Sequence, residues 1–213
     1  MTEQDRMRAG YIWLDDDENI ALQARCKTLV EKFNSMPADA HAERMEISKE
    51  IFGECGGAWI IPPLRVTIGS HSTIGDSTYI NMGATLIDDA PIHIGSRVLF
   101  GPNVMLCTTG HPISPNHRMD GMYSFPITIE DGVWLGANVV VMPGVTIGEN
   151  SVIGAGSVVT KDIPANVVAF GSPCKVYREI NEHDEEYYFR DRRFDEQPSR
   201  EEKDIPHLDF WEK

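Results

Sequence analysis

The sequence lacks long apolar runs, paired cysteines and an excess of basic charge, and each absence excludes a class of protein. No run approaches the roughly 18 apolar residues that a membrane span needs, and the first residues, MTEQDRMRAGYIW, hold no apolar signal-peptide core. The 19 Lys and Arg are outnumbered by 33 Asp and Glu, so the net charge of −14 repels a phosphate backbone. We therefore expect a cytoplasmic protein with neither a membrane nor a nucleic acid as partner.

Cysteine usage points to the same compartment. The four cysteines stand at positions 26, 55, 107 and 174, too widely spaced to form a metal-binding or redox pair motif. We expect free thiols in a reducing environment. A chain of 213 residues is long enough for one domain with appendages.

The sequence does contain a repeat of six residues, carried by large apolar side chains. The later run consists of Ile129, Leu135, Val141, Ile147, Ile153 and Val159. The earlier run consists of Ile68, Ile74, Ile80 and Leu86, slips by two residues, and resumes at Ile94, Phe100 and Leu106. Self-similarity at this period predicts a parallel β-helix.

The period has a direct physical meaning. An amphipathic helix repeats every three or four residues and a simple strand every two, so neither fits. A triangular coil fits, because each hexapeptide supplies one short strand and one corner, and three hexapeptides complete a turn. The fold class is therefore an all-β solenoid. We expect it at residues 58–170, between an N-terminal helical cap at 1–57 and a C-terminal extension at 171–213 that is either a surface tail or a strap across a neighbouring subunit.

One long segment, CTTGHPISPNHRMDGMYSFP at residues 107–126, interrupts the repeat. Loops of this length without secondary structure are uncommon unless they are functional. His111 lies inside the loop, and a neutral imidazole near pH 7 is the usual general base for activating a hydroxyl. A zinc site would need three converging imidazoles. The spacing of His71, His93 and His117 gives no sign of convergence on His111, so we expect no metal.

Several polar residues within the repeats allow two interpretations each. Asn81 either relieves a tight corner by adopting left-handed backbone angles or points its carboxamide into a cleft. Asp88 and Asp89 form either a solvated turn or a site for a polyhydroxyl ligand. A basic cluster near the end of the repeats is either solvated surface or a phosphate-binding site; its members are Thr160, Lys161, Lys175 and Arg178.

Four stretches carry a family resemblance. They are RMRAG near the N-terminus, TYINMGATLIDDAPIHIG, TTGHP, and the run from MYSFPITIEDGVWLGANVV to PANVVAFGSPCKVYREI. With these motifs the chain resembles the hexapeptide-repeat sugar O-acetyltransferases, above all the galactoside and then the maltose O-acetyltransferases. The resemblance implies a homotrimer of left-handed β-helices, with each active site between two subunits. It implies transfer of acetyl from acetyl-CoA, as co-substrate, to a sugar hydroxyl.

The resemblance also implies roles for individual residues. His111 matches the family's general base, and Asn81 and a backbone N–H near Ala137 match groups beside the reacting atoms. The positions that match the family's sugar site are Asp15, Thr67, Tyr79, Asn81, Asp89 and Met122. The positions that match its acetyl-CoA site are Trp134, Ala137, Ala155, Thr160, Lys161, Lys175 and Arg178.

The chain departs from the family pattern mainly on the acceptor side. Gln23 stands where the family has an arginine that holds the sugar ring, with Arg25 two places on. The loop after His111 is one residue short and lacks the family's glutamate, so Gly121 precedes Met122. Lys175 replaces an arginine. The alternatives that stay open are a non-sugar acceptor, such as an antibiotic or serine, and a metal-dependent or non-catalytic protein on the same solenoid.

Overall fold

The computed structural model describes residues 1–198, and its N-terminal part is helical. The helices are α1 (Glu3–Arg8), α2 (Asp17–Ser35) and α3 (His41–Ile51). Helix α2 begins where the Asp16 side chain accepts a hydrogen bond from the N–H of Asn19, an N-cap that satisfies a free backbone donor. Cys26, Val30 and Phe33 on its inner face are buried.

Short strands follow. In chain order they are β1 (Glu54–Cys55), β2 (Trp59–Ile60), β3 (Arg65–Val66), β4 (Ser72–Ile74), β5 (Tyr79–Ile80), β6 (Thr85–Ile87), β7 (Ile92–Ile94), β8 (Leu99–Phe100), β9 (Met105–Cys107), β10 (Thr109–Gly110), β11 (Tyr123–Ser124), β12 (Ile127–Ile129), β13 (Trp134–Leu135), β14 (Val140–Val141), β15 (Thr146–Ile147), β16 (Val152–Ile153), β17 (Val158–Val159), β18 (Val167–Gly171), β19 (Cys174–Glu179), β20 (Tyr187–Phe189) and β21 (Arg192–Arg193).

These strands build a three-sided prism, as the period of six predicts. The first face holds β1, β4, β7, β12 and β15; the second holds β2, β5, β8, β13, β16 and β18; the third holds β3, β6, β9, β14 and β17. Neighbouring coils pair in parallel, with Ile94 beside both Ile74 and Ile129. The repeating apolar residues point inward and are buried along the whole prism.

The register differs from the sequence prediction at one position. Val66, rather than Ile68, pairs with Leu86 and takes the inward position of the third face in the first coil. Ile68 is buried in the corner that follows. The step to the first face is therefore eight residues from Val66 to Ile74, like the step from Leu86 to Ile94, so the two-residue slip occurs twice at the same corner.

Two corners of the prism matter for function. The wide corner joins the third face to the first and consists of residues 67–71, 88–91 and 108–126. The tight corner joins the second face to the third and consists of residues 81–84, 101–104, 136–139 and 154–157. The third face lies between them, so the two corners are separated by its width.

The chain leaves the prism through β19, which turns back antiparallel to β18 and extends the second face. A short helix, α4 (Glu182–Glu186), and the β20–β21 hairpin complete the described part of the extension. Residues 199–213 of the predicted extension lie outside the described residues. The four cysteines are free, as expected. No helix within residues 1–198 is long and apolar enough to cross a membrane.

Candidate functional site

The long loop at the wide corner is anchored by an antiparallel hairpin. Strand β10 pairs with β11, with Gly110 opposite Tyr123. A Cβ on Gly110 would lie 2.5 Å from the Tyr123 hydroxyl oxygen, so a larger residue there would displace the Tyr123 ring. The hairpin therefore brings His111, the next residue, to a fixed position at the base of the loop.

The His111 imidazole is held by a backbone carbonyl. Its Nδ1 lies 3.2 Å from the carbonyl oxygen of Gly121. A carbonyl oxygen only accepts, so Nδ1 carries the proton in a neutral ring and Nε2 keeps its lone pair. The His111 side chain is otherwise exposed to solvent. Nε2 is thus available as a base.

Gly121 occupies a conformation that other residues rarely adopt. Its φ is 144°, and a Cβ would lie 2.5 Å from the carbonyl oxygen of Trp13. The partner of His111 Nδ1 is therefore the backbone carbonyl of a glycine. We find no other described residue that hydrogen-bonds to this imidazole.

The N-terminal segment closes over the loop. Trp13 and Met122 exchange two backbone hydrogen bonds of 2.9 Å, and the Trp13 indole N–H donates to the Ser124 hydroxyl at 3.0 Å. The Trp13 side chain is 1% exposed. Residues 12–14 and the hairpin therefore behave as one packed unit.

Asp89 is one of two buried carboxylates at this corner. One of its oxygens, Oδ2, accepts a hydrogen bond from the Thr109 hydroxyl, and Oδ1 has no partner among residues 1–198. Burial raises the pKa of Asp89, the Thr109 hydrogen bond lowers it, and the charges of Asp88 and Asp15 raise it further. Asp89 therefore has one free acceptor oxygen beside the hairpin.

Asp88 has a different role. It accepts hydrogen bonds of 2.8 Å from the N–H groups of Ile68 and Gly69 and from the Ser72 hydroxyl, and it is completely buried. Burial raises the pKa of Asp88, although the three donors oppose that shift. Asp88 fastens the irregular corner of one coil to the next and is neither a solvated turn nor open to a ligand.

Asp15 and Thr67 complete the wide-corner group. The exposed Asp15 accepts a 3.0 Å hydrogen bond from the Gln23 carboxamide. Arg25 instead donates to the carbonyl of Glu50, so it does not take the place of the family's arginine. Thr67 lies at the same corner in the first coil, where its N–H donates to the Leu86 carbonyl.

A second group lies along the second face and the tight corner. Tyr79 and Trp134 alternate with buried residues and point outward, and Trp134 is 51% exposed. The Asn81 side chain accepts a 2.9 Å hydrogen bond from the N–H of Met82. Since that N–H only donates, the carboxamide oxygen must face it and the NH₂ group points away.

The corner explanation for Asn81 does not hold. Left-handed backbone angles occur at Asn103, Asn138 and Gly83, but not at Asn81. The N–H groups of Ala137 and Ala155, in later coils of the same corner, have no acceptor among the described residues. The free donors at the tight corner therefore include the Asn81 carboxamide and the backbone amides of Ala137 and Ala155.

The predicted basic cluster is divided between two places. Thr160 and Lys161 follow β17 at the edge where the third face turns to the first, and both are exposed. Lys175 and Arg178 lie on β19 beside the second face. Arg178 makes a bidentate ion pair with Asp184, at 2.6 and 2.7 Å, which lowers the pKa of Asp184 to about 2. Its charge is therefore partly compensated, whereas Lys175 is exposed.

The histidines of the possible zinc site are engaged elsewhere. His71 contacts the Asp89 carbonyl at 2.7 Å, His93 contacts Thr73, and His117 pairs with Asp120. Within residues 1–198, no group of three His, Cys, Asp or Glu side chains is arranged to hold a metal ion.

Sequence reasoning missed the residues that organise the wide corner. Trp13, Thr109, Ser124 and the Gly121 carbonyl bind to one another or to predicted residues, yet they stand outside the repeat. The family stretches TTGHP and MYSFP include Thr109 and Ser124, but the resemblance assigned neither residue a role. Contacts across more than a hundred residues, as between Trp13 and Ser124, leave no periodic trace.

Comparison with known proteins identifies the family. Residues 126–161 match the bacterial transferase hexapeptide family (six repeats), and residues 6–56 match the maltose acetyltransferase hexapeptide capping motif. The galactoside O-acetyltransferase of Escherichia coli (strain K12) is 50% identical over 90% of this chain and 95% of its own. The chain belongs to the hexapeptide-repeat sugar O-acetyltransferases.

Solved structures of similar proteins agree with this family. A galactoside acetyltransferase in complex with coenzyme A superposes with a TM-score of 0.88 at 47% identity, covering 91% of this chain and 98% of that one. A hexapeptide-repeat acetyltransferase from Vibrio cholerae, complexed with acetyl coenzyme A, gives 0.79 at 35% identity over 85% and 100%. The family fold is the left-handed parallel β-helix. This member is an acetyl-CoA-dependent O-acetyltransferase, with acetyl-CoA as co-substrate.

Proposed function

We propose that this enzyme transfers acetyl from acetyl-CoA to a hydroxyl of a sugar, with His111 as the general base. The observation that carries the proposal is the hydrogen bond from His111 Nδ1 to the Gly121 carbonyl, which leaves Nε2 free to take a proton. Two galactoside O-acetyltransferases, 50% and 47% identical to this chain, support a sugar as acceptor.

The reaction proceeds by direct attack. The acceptor oxygen adds to the thioester carbonyl while its proton passes to Nε2 of His111. The carbonyl oxygen becomes an oxyanion, which needs donors already in place. The Ala137 N–H and the Asn81 NH₂ group are the free donors for it. The carbon–sulfur bond then breaks, and the CoA thiolate recovers the proton from His111.

The acceptor lies against the wide corner. A sugar ring offers several hydroxyl donors, and Asp89 Oδ1 and Asp15 are carboxylate acceptors for them. Thr67 and Met122 line the same corner, and Tyr79 and Asn81 approach from the second group. In place of the family's arginine, the neutral Gln23 leaves the charge of Asp15 uncompensated by a side-chain cation.

Acetyl-CoA lies along the second face and the tight corner. Trp134, Ala137 and Ala155 line that path. With the Ala137 amide directed at the thioester carbonyl, the free amide of Ala155 suits a carbonyl oxygen of the pantetheine arm. The phosphate-bearing end reaches the cations at the end of the solenoid. Lys175 and Arg178 approach from β19, and Thr160 and Lys161 from the last coil.

The wide-corner residues and the residues of the second face and tight corner form one site only if they come from two subunits. His111 and Asp89 stand at one edge of the third face, whereas Asn81, Trp134 and Ala137 stand at the other. When one edge of a chain meets the opposite edge of its neighbour, the interface is heterologous, and it forms a ring when the rotation between subunits closes. We therefore propose a homotrimer in which the wide corner of one subunit faces the tight corner of the next.

The reaction is tested by following thiol release from acetyl-CoA with a panel of galactosides, glucosides, maltose, serine and chloramphenicol. Sugar-dependent release supports the proposal and ranks the acceptors. Release that only serine or chloramphenicol stimulates would overturn the sugar assignment. No stimulated release with any of them, at a concentration where acetyl-CoA binds, would contradict this acceptor class.

The shared site is tested by mixing two inactive variants. His111→Ala and Asn81→Ala chains are unfolded, mixed in equal amounts and refolded. If each site takes one residue from each chain, about a quarter of the sites in random trimers are intact, because each of two independent choices succeeds half the time. Activity would then reappear in the mixture. A mixture as inactive as its parents would show that both residues come from one chain.

A further inference from the structure

A chain of hydrogen bonds runs from Trp13 to Asp89 inside the wide corner. The Trp13 indole N–H donates to Ser124 Oγ at 3.0 Å, Ser124 Oγ lies 2.8 Å from Thr109 Oγ1, and Thr109 Oγ1 binds Asp89 Oδ2. The first three side chains belong to the N-terminal segment, β11 and β10. The chain therefore connects three separate pieces of sequence to one carboxylate.

Its two ends determine the direction of every bond. An indole N–H can only donate, and an ionised carboxylate can only accept. The Thr109 hydroxyl must therefore give its single proton to Asp89. The Ser124 hydroxyl, which already accepts from Trp13, must give its proton to Thr109. All donors point toward Asp89, an arrangement in which each hydrogen bond strengthens the next.

The hydrogen-bond chain is buried at both ends, and its Thr109 link is half-buried. Trp13 and Ser124 are each 1% exposed and Asp89 is 5% exposed. In such surroundings an unpaired polar group is costly, and water cannot replace a lost partner as it would at the surface. The Asp89 side chain is therefore oriented by this chain of bonds, with its second oxygen left for a ligand.

Trp13 also supports His111 through its backbone. Its N–H and carbonyl both pair with Met122, and its carbonyl oxygen occupies the space that a side chain on Gly121 would need. Gly121 in turn supplies the carbonyl that accepts from His111. The residue that orients the carboxylate through its side chain thus fixes the imidazole through its main chain.

We propose that Trp13 is a positioning residue for acceptor binding, which acts on Asp89 through Ser124 and Thr109 and on His111 through Gly121. This proposal rests on the proposed function, because it assigns the acceptor to Asp89 and His111. It predicts that loss of this hydrogen-bond chain weakens acceptor binding. Binding of acetyl-CoA should not change, because the residues predicted to bind acetyl-CoA lie elsewhere.

The charges around Asp89 determine the sign of a pH test. Asp88 and Asp15 raise the pKa of Asp89 together with burial, whereas His71 and the Thr109 hydroxyl lower it. Removing the Thr109 donor therefore raises the pKa of Asp89 further. If ionised Asp89 binds the acceptor, the acidic limb of the pH profile for acceptor kcat/KM moves to higher pH.

The sharpest pair of variants is Thr109→Val and Thr109→Ser. Valine keeps the shape and removes the donor to Asp89, so we expect acceptor kcat/KM to fall about 10- to 100-fold, as for a lost bond to a charged group. Serine keeps the hydroxyl and should retain nearly full activity. The KM for acetyl-CoA should stay unchanged in both.

Trp13→Phe tests the far end of the chain while keeping a buried ring. The loss of one neutral donor should lower acceptor kcat/KM about three- to tenfold and move the acidic limb in the same direction. Tyr11→Phe is the control in the same segment, because the Tyr11 side chain is exposed and makes no side-chain hydrogen bond within residues 1–198. Thermal unfolding of each variant shows whether it is folded.

The outcomes separate this proposal from the proposed function. If His111→Ala is inactive while Trp13→Phe and Thr109→Val keep the wild-type acceptor KM and pH profile, the positioning role is wrong and the reaction stands. If Thr109→Ser is as impaired as Thr109→Val, the effect is due to packing and the hydrogen-bond chain is wrong. If wild type transfers acetyl to no acceptor, both proposals fall together.

Discussion

The tight corner and the wide corner of the same prism satisfy their backbones in different ways. At the tight corner the chain repeats every six residues, and the coils bond mainly main chain to main chain, as from Gly156 N–H to the Ala137 carbonyl at 2.8 Å. At the wide corner the chain is longer, and side chains take over: Asp88 binds the N–H groups of Ile68 and Gly69, and Thr108 binds both Ile87 and Ala90.

This difference explains where chemistry can lie. A regular coil must keep small or apolar residues at fixed places, so its contribution to a ligand comes mainly from backbone amides such as those of Ala137 and Ala155, with the Asn81 carboxamide beside them. At the irregular corner, polar side chains already satisfy backbone groups. Carboxylates and an imidazole can therefore be placed there without breaking the main-chain hydrogen bonds between neighbouring coils. The proposed site combines both, with donors from one corner and acceptors from the other.

Among these predictions, the largest expected effect is the loss of turnover in His111→Ala, at the wide corner. We expect turnover to fall about 10²- to 10⁴-fold, the range that general-base catalysis supplies, with the thermal midpoint unchanged because the side chain is exposed. His117→Ala is the matched control, since His117 lies in the same loop and pairs only with Asp120. Wild-type turnover in His111→Ala would contradict the mechanism.

A substitution in the buried core of the regular coils should lower stability and leave acceptor binding unchanged. Leu135 is completely buried between Phe100 and Ile153 of adjacent coils. Leu135→Ala should lower the free energy of unfolding by about 2–5 kcal/mol through lost transfer energy and a cavity, measured by urea unfolding at a fixed protein concentration. The acceptor KM should not change below the transition. A variant with native stability would mean that the prism collapses to fill the gap.

The sequence allowed most of the regular part to be predicted and little of the irregular part. A period of six depends on local residue choice, so Ile94, Ile129 and Ile147 could be assigned to one interior. Ile68 was misplaced because its spacing from Ile74 also happens to be six. Trp13 and Ser124 could not be paired, since nothing in their neighbourhoods records a contact formed only after the corner has folded.

The same comparison applies to two aspartates. Asp88 is fully buried with three donors, whereas the half-buried Asp131 accepts from the Ser96 N–H and pairs with Arg97 at 3.6 Å. Asp88→Asn places an NH₂ group against at least one donor and should cost about 1–3 kcal/mol of unfolding free energy. Asp131→Asn should cost less than about 1 kcal/mol, as for other exposed interactions. Equal losses in urea unfolding would contradict the structural role of Asp88.

The difference in unfolding free energy between wild type and Asp88→Asn should depend on pH. Because burial raises the pKa of Asp88 in the folded state, its stabilising contribution is complete below the unfolded pKa and is lost as pH rises through the folded pKa. The difference in stability between wild type and Asp88→Asn should therefore narrow as the pH is raised from about 4. A difference that widens instead would mean that the three donors outweigh burial.

The smallest expected effect is a change in the KM for acetyl-CoA when a cation of the proposed coenzyme path is removed. Lys175 is exposed on β19, and Arg178 is already paired with Asp184, so each cation supplies only part of the attraction for phosphate. Lys175→Ala should raise the KM for acetyl-CoA about three- to tenfold and leave the acceptor KM unchanged. The effect should shrink as salt is added, because exposed charges are screened. Lys49→Ala is the control, since Lys49 pairs with Glu46 on the helical cap, far in sequence from the proposed coenzyme path. If the KM for acetyl-CoA is equal in wild type and Lys175→Ala, Lys175 does not contribute to the coenzyme site. The proposed placement of the acceptor at the wide corner and of acetyl-CoA at the tight corner would still stand.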